Sequence, residues 1–278
     1  MLSLHEAAAE LGVHYMTAYR YVRQGQLGAQ RSASGWRVPR SAIDAFRSGA
    51  HEPAARGLAG RASRSAPWSK RLEARLIVGD VSGAWGVVES ALAAGSTVEQ
   101  VYTDHIATAM ASIGSRWAAG ELEVADEHRA TVVVQRLLGR LGPQMSRPGR
   151  PRGTVIVGAP HGEHHSIPSA VVADLIRADG WNVIDLGADS PPASFLRVIG
   201  EFDAVAIVLS VSNASCLSAA DEVCEVVLDR YPDMTTIVGG RALDDGRASS
   251  LAHVSHLVRE VPELLRVLSD GRATSRTA

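Results

Sequence analysis

The sequence predicts a multidomain protein of the α + α/β class, in which a small helical head precedes a helical bundle and a parallel sheet. Apolar residues recur at three-to-four spacing from about residue 70 to residue 142, which is typical of packed helices. From residue 154 onward, short β-branched runs alternate with helical segments, which favours a parallel sheet covered by helices. Residues 49–69 are rich in Gly, Ala, Ser, Pro and Arg without apolar periodicity, and they separate these regions from the head as a linker.

Composition and the pattern of apolar residues together predict the domain boundaries. The predicted units are a winged helix-turn-helix head at 1–48, a linker at 49–69, a four-helix bundle at 70–146, a doubly wound parallel-sheet (Rossmann-like) domain at 147–270 and a disordered tail at 271–278. No apolar run approaches the roughly 18–20 residues that span a bilayer. Because Glu6 and Glu10 stand in an N-terminus without a basic start, a signal peptide is not expected. The sequence therefore predicts a cytoplasmic protein with no membrane partner.

The charge is distributed unevenly along the chain. The net charge is −2, but residues 1–72 hold 11 Lys and Arg against 4 Asp and Glu, a balance of +7. The remaining residues hold 17 against 26, a balance of −9. A basic head on an acidic body indicates that only the head meets a polyanion.

The head has the layout of two helices around a glycine turn. Ser3 and Glu6 form a predicted capping box for a helix over Leu4–Leu11, which ends at Gly12 before a second helix. Downstream, a Ser-Ala-Ser-Gly turn before Trp36-Arg37-Val38 predicts a β-hairpin. A small helical protein-interaction module would be the alternative for such a segment.

Residues 2–46 resemble the excisionase-like and MerR-like winged helix-turn-helix family over essentially the whole head. The resemblance implies that the second helix docks in the major groove of double-stranded DNA and that the hairpin wing lies along the backbone. The DNA-contacting residues that it implies are Tyr15, Thr17, Arg20 and Arg23 on the second helix and Arg37 on the wing. A single head makes few contacts, so operator binding is expected to need a homo-oligomer, a dimer or a tetramer.

A loop with three histidines, Pro160–Pro168, follows the first strand of the sheet. A zinc site is disfavoured because the spacing does not fit H-E-x-x-H and no Cys or Asp cluster is near. The alternative that this is an exposed His-rich loop without function is left open. Glu163, however, stands two residues before His165, where a carboxylate can hold one ring nitrogen and leave the other free for a metal.

The spacing around this loop resembles the cobalamin-binding signature of methionine synthase and its relatives. That signature is acid-x-His-x-x-Gly, then about 41 residues, Ser-x-Leu, about 26–28 residues and Gly-Gly. Here Glu163-His164-His165 supplies the first element, 41 positions precede Ser210, and 26 positions precede Gly239-Gly240. Two positions depart from the pattern, since Pro168 replaces the glycine and Ser212 replaces the leucine.

The resemblance implies cobalamin bound with its dimethylbenzimidazole tail withdrawn from cobalt and His165 as the lower metal ligand. Ser and Gly-Gly at strand ends would then leave room for the buried tail. The implied cofactor-binding residues are Glu163, His164, His165, Ser166, Ile167, Ser210, Val211, Ser212, Gly239 and Gly240.

The bundle carries a second match. Trp117, nine residues and then Glu127-His128 resemble the W-x9-E-H pattern of the CarH/LitR family of B12-dependent photoreceptor repressors. Taken alone, Trp117 would be a core aromatic and Glu127-His128 an exposed pair. The resemblance implies that these three residues surround the 5′-deoxyadenosyl group of adenosylcobalamin. It also implies an oligomer that represses transcription in darkness and dissociates in light.

One position departs from the best-known members of that family, in which a histidine follows the tryptophan and captures cobalt after photolysis. Ala118 occupies this position here. The alternatives left open are substitution by His105 or His128, a water-ligated light state, a different upper ligand, or a different chromophore in the vacated space.

The sequence thus predicts a cobalamin-dependent, light-responsive transcriptional regulator that is not an enzyme. It contains no P-loop, no G-x-G-x-x-G and no obvious acid–base pair. A corrinoid carrier or methyltransferase subunit is the alternative of a different class, because such proteins share the pairing of bundle and sheet. A regulator that uses another ligand in the same pocket is a third hypothesis.

Overall fold

The computed structural model describes residues 1–13, 18, 21–22, 27–32, 35–47, 67–245 and 251–275. The chain divides into two compact units, one that holds the head and one that holds the sheet with most of the bundle. No helix within the described ranges is long and apolar enough to cross a membrane.

The head joins short strands to helices around a small apolar core. Its elements are β1 Leu2–Ser3, α1 Leu4–Leu11, β2 Gln30–Ser32, β3 Gly35–Val38 and α2 Arg40–Arg47, and the strand order is antiparallel β1-β3-β2. The predicted capping box is confirmed, since the Glu6 N–H donates to Ser3 Oγ and the Ser3 N–H donates to Glu6 Oε2 at 2.7 Å. Gly12 ends α1 with a left-handed φ of 67°. The β2–β3 hairpin agrees with the predicted wing.

The bundle consists of the four helices that the structure describes between residues 67 and 145. They are α3 Trp68–Ile77, α4 Val81–Ala93, α5, which runs through Val98–Gln100, a π-helical turn at Val101–Ile106 and Ala107–Ala118, and α6 Val124–Leu141. The apolar stripes face inward, and Leu72, Ile113 and Leu141 are fully buried. The π turn is a difference from the regular helix that the apolar spacing predicts, because side-chain periodicity does not reveal one extra residue in a turn.

The sheet has five parallel strands in the order β5-β4-β6-β7-β8. The elements are β4 Thr154–Gly158, α7 Ser166–Ala178, β5 Asn182–Asp185, α8 Pro192–Phe202, β6 Ala206–Ser210, α9 Leu217–Arg230, β7 Thr235–Gly239, β8 His256–Val258 and α10 Val261–Ser275. Separate apolar clusters cover the two faces, so the strands are buried on both sides. The loops that follow β4, β6 and β7 consequently meet at one edge, where ligands of such sheets bind.

The last helix reaches Ser275, beyond the predicted domain end at residue 270. Leu264 and Leu268 are buried in the core of the sheet and anchor its first turns. Extending an anchored helix costs less than nucleating one, so α10 continues past its last packed residues. Residues 271–275 of the predicted tail thus belong to this helix, and 276–278 lie outside the described residues.

Candidate functional site

A buried glutamate joins two of the loops at the carboxyl edge of the sheet. Glu163 lies in the loop after β4 and is only 1% exposed. Its Oε2 accepts the backbone N–H groups of Ser212 and Asn213, both at 2.8 Å, in the loop after β6. The ionised carboxylate therefore has charge-assisted partners that offset the cost of its burial.

The second oxygen of this carboxylate holds His165. Glu163 Oε1 lies 2.5 Å from Nδ1 of the imidazole and also accepts the His165 backbone N–H at 3.1 Å. The His165 side chain is 55% exposed although its partner is buried. With Nδ1 engaged, Nε2 is the ring nitrogen left for a metal, as is common for ligating histidines.

Both partners have shifted pKa values. Burial alone would raise the pKa of Glu163, but the hydrogen bonds from His165 and from the Asn213, His165 and Ser212 backbones lower it to about 2. The hydrogen bond to Glu163 raises the pKa of His165, against burial and the charge of Arg241. Glu163 is thus a fixed negative charge behind the imidazole, which increases the electron-donating power of Nε2.

The donor set fits an axial ligand of a metal that a macrocycle already holds. Within the described parts of the chain, no group of three or more His, Cys, Asp or Glu could hold a bare metal ion. A single imidazole, oriented by a buried carboxylate, would supply one nitrogen ligand to such a metal. His165 is also the N-cap of α7, so its position is tied to a helix end.

Ser210 and the glycine pair lie at neighbouring strand ends, as their spacing predicts. Ser210 is 5% exposed and is paired with Gly239 across β6 and β7. A Cβ on Gly240 would lie 2.3 Å from the Val211 carbonyl oxygen, and one on Gly239 would lie 3.0 Å from Val258 Cγ2. The glycines thus allow neighbouring segments of the chain to approach closely. The predicted role of leaving room for a cofactor tail stays a prediction.

A second acidic residue, Asp189, braces the outside of the histidine loop. Its carboxylate accepts the Gly162 N–H at 2.8 Å and lies 2.8 Å from His161 Nδ1, while its own N–H donates to the Glu163 carbonyl at 2.9 Å. Asp189 adopts a left-handed φ of 54°, which is costly for a non-glycine residue. Sequence reasoning missed Asp189, because it acts through a backbone conformation that composition does not reveal.

The bundle residues of the predicted upper site lie near the ends of α5 and α6. Trp117 is 49% exposed, and His128 is exposed with Nε2 3.8 Å from the Glu127 carboxylate. Glu127 accepts the Thr131 hydroxyl at 2.8 Å and raises the pKa of His165 through its charge, after the larger effect of Glu163. The charge of Glu127 thus adds slightly to the effect of Glu163 on His165.

The remaining loop residues line the junction of α6 and α7. His164 is exposed, and Ser166 Oγ lies 3.4 Å from the Gln135 amide of α6. Ile167 and Ser166 line a cleft of about 510 Å³ between the two helices. Helix α6 of the bundle thus packs beside the helix that His165 begins.

The predicted DNA-contacting residues are covered only in part. Arg37 lies on β3, opposite Ser3 of β1 and Gln30 of β2, so it stands on the central strand of the head sheet. Tyr15, Thr17, Arg20 and Arg23 lie outside the described residues. Ala18 and Val22, which belong to the same segment, are buried in the head core.

Comparison with protein families assigns the three regions. Residues 153–259 match the family model of a B12 binding domain, and residues 68–141 match a second model with the same description. Residues 1–50 match the model of a helix-turn-helix domain. The chain therefore combines a corrinoid-binding fold, made of bundle and parallel sheet, with a helix-turn-helix domain, and its cofactor is of the cobalamin type.

The curated relatives that match this chain include corrinoid proteins and a transcriptional repressor. The trimethylamine corrinoid protein of Methanosarcina barkeri is 28% identical over 118 residues, which are 41% of this chain and 54% of that protein. The HTH-type transcriptional repressor CarA of Myxococcus xanthus is 28% identical over 120 residues, 43% of this chain and 41% of that protein. The chain thus spans about half or less of these relatives.

The solved structures agree with the fold. The monomethylamine corrinoid protein of Methanosarcina barkeri aligns with a TM-score of 0.64 and 17% identity, over 72% of this chain and 96% of that one. At this identity the likeness concerns the fold alone.

Replacing Glu163 with glutamine is expected to weaken cobalamin binding about 10- to 100-fold, the usual cost of losing an outer partner of a ligating histidine. The neutral amide keeps the size of the side chain, but it removes the charge behind His165 and offers the Ser212 and Asn213 N–H groups a weaker acceptor. Titration of hydroxocobalamin, followed by absorbance, measures the affinity. The control is Glu222→Gln on the exposed face of α9, and equal affinities of the two variants would contradict the role of Glu163.

Proposed function

We propose that this protein is a cobalamin-dependent transcriptional repressor that responds to light and is not itself an enzyme. The observation that carries the proposal is the buried Glu163, which orients His165 and ties two loops of the sheet together in a chain that begins with a helix-turn-helix domain. The CarA relative supports the regulatory reading.

In this proposal Glu163 keeps the proton of His165 on Nδ1, so that the Nε2 lone pair points outward as the lower ligand. Trp117, Glu127 and His128 of the bundle would hold the adenosyl group of the cofactor, with adenosylcobalamin as the preferred form. Adenosylcobalamin supplies a cobalt–carbon bond that visible light breaks. Loss of the group that Trp117, Glu127 and His128 would hold would change how the bundle packs against α7.

The readout of this shift is DNA affinity. A single head offers few contacts, so an oligomer, a tetramer or a dimer, holds several heads on one operator in darkness. Dissociation of the oligomer in light lowers the affinity through lost multivalency. A repressor of this kind acts on chromosomal DNA, which places it in the cytoplasm.

A corrinoid carrier for a methyltransferase is the second candidate. It is favoured by the match to the trimethylamine corrinoid protein, because this relative and the repressor are each 28% identical to the chain. The helix-turn-helix domain and the basic head argue for the repressor, because a methyl carrier has no use for a polyanion-binding surface.

The test loads the full chain with adenosylcobalamin in darkness and measures binding to fragments of its own promoter before and after green light. We expect a spectral change and a loss of DNA affinity of at least about 10-fold. Effects of this size are typical of the coupling between two sites in allosteric proteins. Arg37→Ala should weaken dark binding and reduce the salt dependence by about one phosphate contact, while its spectral change persists. Unaltered DNA binding after a full spectral change would exclude the light response, and methyl transfer without promoter binding would favour the carrier.

A further inference from the structure

A hydrogen bond between a tyrosine and an aspartate connects the bundle to the sheet. Tyr102 of α5 is fully buried, and its hydroxyl donates to Asp174 Oδ2 on α7 at 2.8 Å. Asp174 is 8% exposed. None of the sequence motifs includes either residue, and the pair lies away from the histidine loop along the chain.

Asp174 is held on the sheet side by an arginine. Arg177 Nη1 donates to Asp174 Oδ1 at 2.7 Å, and Nη2 donates to the Val183 carbonyl of β5 at 3.3 Å. Arg177 therefore holds the Asp174 side chain in position from the sheet side, while Tyr102 bonds to its other oxygen. Burial and the hydrogen bond to Asp174 raise the pKa of Tyr102, so the phenol stays a proton donor.

The bundle is shaped to make this contact. Tyr102 lies in the π-helical turn Val101–Ile106, a rare conformation that often marks functional positions. Gly142, just after α6, also approaches the same carboxylate, and a Cβ there would lie 3.0 Å from Asp174 Oδ2. Two bundle elements thus converge on one buried acid of the sheet domain.

The contact also lies on the helix that begins at the lower ligand. His165 is the N-cap of α7, and Asp174 follows nine residues later, which is about 2.5 helical turns. A helix is a rigid element, because its backbone hydrogen bonds are made within the segment. A movement of its first turn along the helix axis therefore also moves its third turn.

We propose that the Tyr102–Asp174 hydrogen bond is a positioning contact that fixes the bundle on α7 and carries movement of the His165 loop to the bundle. The inference rests on the proposed function, because that function supplies the cofactor that moves the loop. The contact between Tyr102 and Asp174 does not depend on it. Tyr102 and Asp174 touch neither cofactor nor DNA in this scheme and act through α7.

The experiment measures amide hydrogen exchange of the full chain in darkness, with and without hydroxocobalamin. In ligand-free Tyr102→Phe, amides of Ala107–Ala118 should exchange at least about 10-fold faster than in the wild type, since a hydrogen bond to a buried charge is lost. Thr103→Ala is the matched control, because the Thr103 hydroxyl lies in the same turn and bonds to Glu99 and Asp104 of its own segment. Its exchange should stay within about two-fold of the wild type.

Added hydroxocobalamin should slow exchange in Ser166–Ala178 of both the wild type and Tyr102→Phe, but in Ala107–Ala118 of the wild type only. Asp174→Asn keeps an acceptor for the phenol and should retain most of the bundle protection. The inference is overturned if Tyr102→Phe exchanges like the wild type, if its bundle is still protected by the cofactor, or if Asp174→Asn loses as much protection as Tyr102→Phe. A wild type that does not respond to hydroxocobalamin at 160–178 refutes the proposed cofactor site, and the ligand-free comparison then decides the contact.

Discussion

Replacing His165 with alanine should leave a folded protein that has lost the lower ligand. We expect affinity for hydroxocobalamin to fall by more than about 100-fold, since even outer partners of a ligating histidine cost about 10- to 100-fold. Exposure of the imidazole makes the fold tolerant of this change, because a half-exposed side chain leaves no core cavity when truncated. Absorbance titration and circular dichroism measure the affinity and the fold separately.

The coordination can also be detected directly. Reduced cobalamin bound to the wild type should show axial nitrogen splitting in its electron paramagnetic resonance spectrum, and the splitting should change when the protein contains nitrogen-isotope-labelled histidine. His165→Ala should lose this response, and added imidazole should restore an axial nitrogen. His161→Ala is the control, because His161 belongs to the same loop but pairs with Asp189 on its outer side. If His165→Ala kept the labelled splitting, another residue would be the ligand.

Much of the fold could be predicted because it depends on local patterns. The capping box at Ser3 and the alternation of apolar runs with helical segments are short-range signals, and the observed capping and parallel sheet agree with them. The motif spacing also predicted that His165, Ser210 and Gly239 would lie at neighbouring strand ends. Strand order in a doubly wound sheet brings these ends together, which the pairing of Ser210 with Gly239 illustrates.

The parts that sequence reasoning missed are contacts between distant segments. Asp189 supports the loop with its carboxylate from a segment 27 positions away, and Tyr102 reaches Asp174 across 72 positions of the chain. Neither residue belongs to a motif, and each would pass for an ordinary surface or core residue. Their partners become visible only when helices α5 and α7 and the loops of the sheet are placed in space.

The glycine pair illustrates the same limit, since its spacing was recognised but the close approach of Gly240 to the Val211 backbone was not. Gly240 has a left-handed φ of 121°, and the nearest atoms to a Cβ built there are all backbone atoms of Val211, the closest at 2.3 Å. Backbone atoms cannot rotate away as a side chain can. Val211 also receives the Ala242 N–H at 3.1 Å and donates its own to Gly239 at 2.8 Å, so it is held on both sides.

Gly240→Ala should therefore be the most destabilising single-methyl substitution at this edge of the sheet. We expect the free energy of unfolding to fall by more than about 3 kcal/mol, because a left-handed φ costs about 1–3 kcal/mol and the steric overlap adds to it. Urea unfolding followed by circular dichroism measures the loss. Gly86→Ala in α4 is the control, since a Cβ there meets nothing within 4 Å and should change stability by no more than about 1 kcal/mol, in the stabilising direction.

The same substitution should also disturb the position of His165. Val211 precedes Ser212, whose N–H is bonded to the Glu163 carboxylate that orients His165. Moving Val211 to make room for a methyl group displaces this donor, so any Gly240→Ala protein that folds should bind hydroxocobalamin more weakly than Gly86→Ala. An unchanged unfolding midpoint together with unchanged affinity would mean that Val211 can move without a cost in free energy. The glycine pair would then not be what positions the loops after β6 and β7.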